Sequence, residues 1–153
     1  MEYRSSPENM KANTVELQMP GNARIRKILI VDDETAIADT LAVILSTHGY
    51  WVQVAYTAEK AIDVIAGWQP DVAIVDVILP LMNGFDFSMV LKANYPACRL
   101  MLFSGEPYTA ALLEEALKKG RNFEVFAKPL HPTFVLATVE SLLSSGPEPL
   151  ADA

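Results

Sequence analysis

Five short apolar runs, each followed by a stretch with helical spacing, constrain the fold of this chain more than any other feature. The first run, 27–31, reads KILIV, and a continuous apolar run of this length is typical of a strand buried on both faces of a parallel sheet. The next segment, 34–48, places Ile37, Leu41 and Leu45 at helical intervals. Gly49 follows it, and glycine commonly ends helices.

The same cycle repeats four more times along the chain. Predicted strands cover 27–31, 50–56, 71–75, 99–103 and 123–127, and predicted helices cover 34–48, the stretch after Thr57, 85–93, 107–119 and 132–143. Strands that alternate with helices in this way predict an α/β fold, with a doubly wound, five-stranded parallel sheet and five helices.

The ends of the chain differ from its centre. Residues 1–24 carry three acids and three bases and show no periodic apolar pattern, so we expect a disordered N-terminal tail there. We expect the folded domain to span 25–145 and a short C-terminal tail to span 146–153. With 153 residues, one domain fills the chain.

Composition excludes several classes of function. The net charge of −7 and the pI near 4.7 argue against nucleic-acid binding, because no surplus of positive charge can replace phosphate counterions. A single cysteine, Cys98, excludes an internal disulfide framework. No apolar run approaches the ~18 residues of a membrane span, and the polar N-terminus is unlike a signal peptide, so we expect a cytoplasmic protein that binds no membrane.

Polar residues follow four of the five predicted strands at the point where each strand ends. Asp32 and Asp33 follow the first strand, Asp76 the third, Ser104 the fourth and Lys128 the fifth. The carboxyl ends of parallel strands meet at one edge of a sheet, where ligands bind. One acid in such a position could simply cap a helix, but three carboxylates together repel one another and call for a hard cation such as Mg²⁺.

This set of groups suits phosphoryl transfer. A carboxylate can attack phosphorus and form an aspartyl phosphate, while a metal ion, a lysine and a hydroxyl stabilise the oxygens of the transferred group.

Four stretches make the chain resemble a known family. They are ILIVDDE at 28–34, IVDVILPLMNG at 74–84, LFSG at 102–105 and AKP at 127–129. In this order and spacing they resemble the response-regulator receiver domain of two-component signalling, of the single-domain type. The resemblance implies a flavodoxin-like fold and a signalling protein that is not a conventional enzyme.

The resemblance also implies a role for each site residue. Asp76 is then the phosphoacceptor, which receives its phosphoryl group from a sensor histidine kinase or a histidine phosphotransfer protein. Asp33 binds Mg²⁺ directly, Asp32 binds it largely through water, and the backbone carbonyl of Ile78 is a further ligand.

Two further residues complete the implied site. Ser104 binds the phosphoryl group, and Lys128 pairs with it and precedes a cis bond to Pro129. Receivers usually carry an aromatic residue three positions before the lysine, but this chain has Val125, which places the usual aromatic switch in question. Few residues follow the last helix, so we expect the signal to reach an unknown downstream protein by contact or by phosphorelay.

Three alternatives remain open. A Mg²⁺-dependent phosphohydrolase of the haloacid-dehalogenase type needs an acid two residues after its nucleophile, where this chain has Ile78. A flavodoxin-like flavin binder needs a phosphate loop after the first strand, where this chain is acidic. A degenerate receiver that only binds proteins would not need the complete set of site residues.

Overall fold

The computed structural model describes residues 24–105, 109–120 and 124–144. Apart from Arg24, the predicted tails at 1–24 and 146–153 lie outside these residues. The elements in chain order are β1 (Lys27–Val31), α1 (Thr35–Thr47), β2 (Trp51–Ala55), α2 (Ala58–Gly67), β3 (Val72–Asp76), α3 (Gly84–Asn94), β4 (Arg99–Ser104), α4 (Thr109–Lys118), β5 (Val125–Ala127) and α5 (Pro132–Ser144).

The five strands form one parallel sheet in the order β2-β1-β3-β4-β5. Within the described residues, the predicted α/β fold with five parallel strands and five helices is therefore confirmed. The strand order reverses between β1 and β3, because the chain moves outward to β2 and then returns past β1 to β3. Such a reversal leaves a crevice beyond the carboxyl ends of the two strands.

Helices cover both faces of the sheet. The core on one face is formed by the strands with α1 and α5, and the core on the other face by the strands with α2, α3 and α4. All five residues of β3 are buried, as are four of the five in β1. The central strands are therefore continuous apolar runs because neither of their faces meets water.

The inner face of α1 differs from the predicted pattern at one position. Leu41 and Leu45 are buried as expected, but Ile37 is 41% exposed. Ala38 and Ala42 occupy the buried face instead. Their small side chains complete a face that the spacing of the large apolar residues alone does not reveal.

Local signals account for three of the helix ends. The hydroxyl of Thr57 accepts a hydrogen bond from the backbone N–H of Lys60 and caps α2, and the side chain of Asn83 accepts one from Asp86 and caps α3. Gly49 follows α1 with a φ of +94°, a conformation that glycine adopts without strain.

Some boundaries differ from the prediction. The fifth strand was predicted from Phe123, which lies outside the described residues, and the structure has β5 at Val125–Ala127. Within the described part of the chain, none of the helices has both the length and the apolar character needed to cross a membrane.

Candidate functional site

Strand register brings the predicted site residues to one edge of the sheet. Asp76 ends β3 opposite Phe103 of β4, and Ser104 ends β4 opposite Ala127 of β5. Asp32 directly follows β1, and Lys128 directly follows β5. Residues far apart in sequence therefore share one crevice because their strands are parallel and end together.

Three aspartates form the acidic part of this crevice. One carboxylate oxygen from each of Asp32, Asp33 and Asp76 lies within 4.8 Å of the others. Asp32 is fully buried and Asp76 is 3% exposed, whereas Asp33 is exposed. The cluster therefore has a buried floor of two carboxylates and one carboxylate that meets water.

Hydrogen bonds fix the orientation of the two buried aspartates. Asp76 Oδ1 accepts from the backbone N–H of Ile78 at 3.1 Å, and Asp76 Oδ2 accepts from Lys128 Nζ at 2.9 Å. Asp32 Oδ1 accepts from the backbone N–H of Glu34 at 3.0 Å. Asp32 Oδ2 has no hydrogen-bond partner among the described residues and lies 3.8 Å from Lys128 Nζ.

Burial is the main cause of the pKa shifts of these acids. Loss of hydration raises the pKa of Asp32 to about 7, and the neighbouring charge of Asp76 adds to this effect. Burial also raises the pKa of Asp76, although its hydrogen bond with Lys128 opposes the rise. Within the same site, the carboxylates of Glu34 and Asp76 raise the pKa of Lys128 despite its partial burial. Lys128 therefore stays protonated, whereas it is unfavourable for Asp32 and Asp76 to be ionised at the same time.

The residues present fit a hard divalent cation. Oxygen atoms are the ligands that Mg²⁺ prefers, and the cluster offers carboxylate oxygens from three residues. A buried carboxylate oxygen without a hydrogen bond, such as Asp32 Oδ2, is costly unless something binds it. A cation in this cluster, with its bound water, would satisfy that oxygen and offset the repulsion between the aspartates.

Ser104 and Lys128 bring a hydroxyl and an ammonium group to the same edge of the sheet. Ser104 is 7% exposed, and its backbone carbonyl accepts a hydrogen bond from Lys128 N–H at 3.1 Å. The peptide bond between Lys128 and Pro129 is cis, as the resemblance implied. A Cβ atom at Gly105 would lie 3.2 Å from Lys128 Cβ, so glycine there leaves space for the lysine side chain.

Ile78 lies two residues beyond Asp76 in the loop before α3. Its N–H orients the Asp76 carboxylate, and its side chain is partly buried against the core that faces α2, α3 and α4. It brings no acid to the crevice, so the phosphohydrolase alternative lacks its proton donor.

Two contacts of Lys128 were missed from the sequence. Glu34 Oε1 accepts a hydrogen bond from Lys128 Nζ at 2.5 Å, and the centroid of the Phe103 ring lies 5.2 Å from the same nitrogen. Because Glu34 directly follows Asp33, the sequence does predict that it lies at the same edge of the sheet as the three aspartates. Nothing in the sequence indicates that its side chain reaches across to β5.

Val125, the residue at the usual aromatic position, is partly buried against the core that faces α2, α3 and α4. The neighbouring Phe126 packs on the opposite face, where its ring meets Phe134 of α5 in an edge-to-face contact at 5.2 Å. The aromatic side chain of β5 therefore faces α5, and the apolar side chain of Val125 occupies the other face.

Comparison with known proteins agrees with this geometry. The family model described as the response regulator receiver domain matches residues 28–140. A CheY-like receiver domain protein from Methanospirillum hungatei JF-1 is 29% identical, with a TM-score of 0.67 over 78% of this chain and 94% of that one. The chemotaxis response regulator CheY4 of Vibrio cholerae is 25% identical, with a TM-score of 0.66 over 78% of this chain and 99% of that one.

Proposed function

The chain belongs to the response regulator receiver domain family, and we propose that it accepts a phosphoryl group on Asp76 with the help of Mg²⁺. The donor is a phosphohistidine, carried by a sensor histidine kinase or by a histidine phosphotransfer protein. In this proposal the folded unit spans 25–145, and the protein acts in the cytoplasm as a signalling domain.

One observation carries the proposal. Asp76 is a buried carboxylate close to the carboxylates of Asp32 and Asp33, and its Oδ2 accepts a hydrogen bond from Lys128 Nζ at 2.9 Å. This arrangement suits a nucleophile that must meet a highly charged phosphoryl group, because the lysine ammonium and a bound cation would both supply positive charge next to it.

The transfer needs no reagent besides the phosphohistidine donor. An oxygen of Asp76 attacks phosphorus, the P–N bond to the donor histidine breaks, and its electron pair remains on the imidazole nitrogen. Asp33, Asp76 and the Ile78 carbonyl would hold Mg²⁺ directly, with Asp32 acting through water, and the bound ion offsets negative charge on the transferring group.

Ser104 and Lys128 bind the remaining phosphoryl oxygens. The Ser104 hydroxyl donates a hydrogen bond to one oxygen, and the Lys128 ammonium pairs with another. Because both residues lie at ends of adjacent strands, a shift of either is transmitted to the neighbouring surface. We propose that a partner protein reads this surface, or that the group passes on to a second histidine protein.

Loss of the phosphoryl group uses the same site. A water oxygen attacks phosphorus, the P–O bond to Asp76 breaks, and the carboxylate leaves with the electron pair while both protons of the water stay with inorganic phosphate. The domain would thus catalyse its own slow dephosphorylation without turning over a separate substrate.

Intact-mass measurement tests the proposal. The full chain is incubated with a small acyl phosphate, once with Mg²⁺ and once with a chelator. We expect a gain of one phosphoryl group, about 80 Da, only in the presence of the metal. A chain that gains nothing under either condition would support the protein-binding alternative.

A further inference from the structure

Lys128 lies among three carboxylates and one aromatic ring. Its Nζ is 2.5 Å from Glu34 Oε1, 2.9 Å from Asp76 Oδ2 and 3.8 Å from Asp32 Oδ2. The Phe103 ring lies 5.2 Å away. An ammonium group has only three N–H donors, so in this state its two hydrogen bonds to carboxylates already use most of its capacity.

Glu34 differs from the other two acids in its exposure. Its side chain is 55% exposed, whereas those of Asp76 and Asp32 are 4% and 0% exposed. Breaking an exposed ion pair costs little, because water can hydrate the carboxylate that is released. Breaking a buried pair is costly, because the carboxylate left behind stays away from water.

The conformation of Glu34 supports a role beyond local structure. Glu34 is the N-cap residue of α1, and its carbonyl accepts the first backbone hydrogen bonds of the helix. Thr57 and Asn83, the corresponding residues of α2 and α3, use their side chains to cap. Among the described residues, the Glu34 carboxylate caps no backbone N–H, and Lys128 is the partner it contacts.

We infer that Glu34 is a positioning residue that holds Lys128 in the unphosphorylated protein and gives way when a phosphoryl group binds. This inference rests on the proposed function. The incoming group draws the Lys128 ammonium toward its own oxygens, and of the two carboxylates that hold this ammonium by hydrogen bonds Glu34 is the one whose release costs least. Glu34 therefore competes with the phosphoryl group for the lysine and keeps the unphosphorylated state populated.

Binding of beryllofluoride, a phosphoryl analogue, tests the inference on the full chain at saturating Mg²⁺. Glu34→Gln keeps the shape of the side chain but removes its charge, so it weakens the contact with Lys128 without leaving a cavity. We expect the variant to bind beryllofluoride about two- to fivefold more tightly than the wild type, as loss of an exposed ion pair allows. The melting temperature without the analogue establishes that both proteins are folded.

Three further variants distinguish the loss of the contact between Glu34 and Lys128 from a general loss of negative charge. Glu34→Asp keeps the charge but is one methylene shorter, so it should also bind the analogue more tightly. Glu59→Gln removes the same charge from α2, where Glu59 contacts the backbone N–H of Met82 and not Lys128, and should bind as the wild type does. In a Lys128→Met background, Glu34→Gln should give no further gain.

Each result has a defined meaning. Equal or weaker binding by Glu34→Gln overturns the inference, as does a gain that Glu59→Gln reproduces or that persists in Lys128→Met. A structural role for Glu34 would instead lower affinity and melting temperature together. If the wild type itself binds no beryllofluoride with Mg²⁺, the proposed function fails, whereas the other contrary results leave it standing.

Discussion

A Cβ atom at Gly84 would clash with the backbone carbonyl oxygen of Asp76, so the first residue of α3 packs directly on the main chain of the proposed acceptor. The N–H of Gly84 also donates a hydrogen bond to the carbonyl of Val77 at 2.7 Å. The start of α3 is thereby joined to the end of β3. The loop between them holds its shape because residue 84 has no side chain.

Gly84→Ala should therefore disturb both stability and the site. The atoms it would meet are backbone atoms that cannot rotate away, so we expect the free energy of unfolding to fall by about 1–3 kcal/mol. We also expect slower phosphorylation, because Asp76 must shift. Gly67→Ala is the control, since a Cβ atom there meets nothing within 4 Å. Chemical denaturation measures the free energy of unfolding, and an equal loss in Gly84→Ala and Gly67→Ala would contradict this account.

A substitution of Leu81, in the same loop, should stabilise the fold. It has a φ of +64° and is 91% exposed, so it is strained and gains little from burial. Left-handed backbone costs a leucine about 1–2 kcal/mol, and the flexibility of glycine in the unfolded chain offsets part of the relief. We expect Leu81→Gly to raise the free energy of unfolding by up to about 1 kcal/mol. A clear loss of stability in denaturation experiments would show that Leu81 stabilises the fold in another way.

The acidic cluster predicts how Mg²⁺ stabilisation depends on pH. The pKa of Asp32 in the fold is about 7, above the value of about 3.9 for an unfolded aspartate. Without metal, the folded state binds protons more tightly, so stability falls as pH rises between these values. A bound cation favours the ionised carboxylate and removes this loss.

We therefore expect Mg²⁺ to raise the melting temperature more at pH 8 than at pH 5. Asp33→Ala should reduce the rise at pH 8, because it removes a proposed direct ligand. Differential scanning fluorimetry measures both effects. An equal rise at the two pH values, or an unchanged rise in Asp33→Ala, would place the metal elsewhere.

The parallel strands allowed most of the fold and the site to be predicted from the sequence. Strand ends are marked by the change from apolar to polar residues, so the shared edge of Asp32, Asp76 and Lys128 follows from the alternation alone. The bond from Glu34 to Lys128 could not be predicted, because it depends on the path of a long side chain across the crevice. The burial of Ala38 in place of Ile37 was missed for a related reason, since small residues carry little apolar signal.

In the proposed mechanism, water must approach the phosphoryl group past the side chain two residues beyond the acceptor, and this side chain should set the lifetime of the phosphorylated form. Ile78 has no polar group to orient a water molecule and is bulky enough to exclude one, so we expect the phosphorylated form to persist for minutes to hours. Ile78→Asn should shorten this lifetime by up to about 100-fold. Ile78→Val, which stays apolar, should leave it nearly unchanged. Intact mass, followed over time, measures the decay of the phosphorylated form. If Ile78→Asn loses its phosphoryl group no faster than the wild type, Ile78 does not shield the group from water.

Locating the phosphoryl group tests the central claim most directly. The full chain is phosphorylated with a small acyl phosphate and Mg²⁺, reduced with borohydride, and digested for peptide mass spectrometry. Borohydride converts an aspartyl phosphate to homoserine, so we expect homoserine at position 76 in the wild type. Asp76→Asn should gain neither the phosphoryl mass nor the reduced residue. Homoserine at another aspartate, or full labelling of Asp76→Asn, would contradict the assignment of Asp76 as the acceptor.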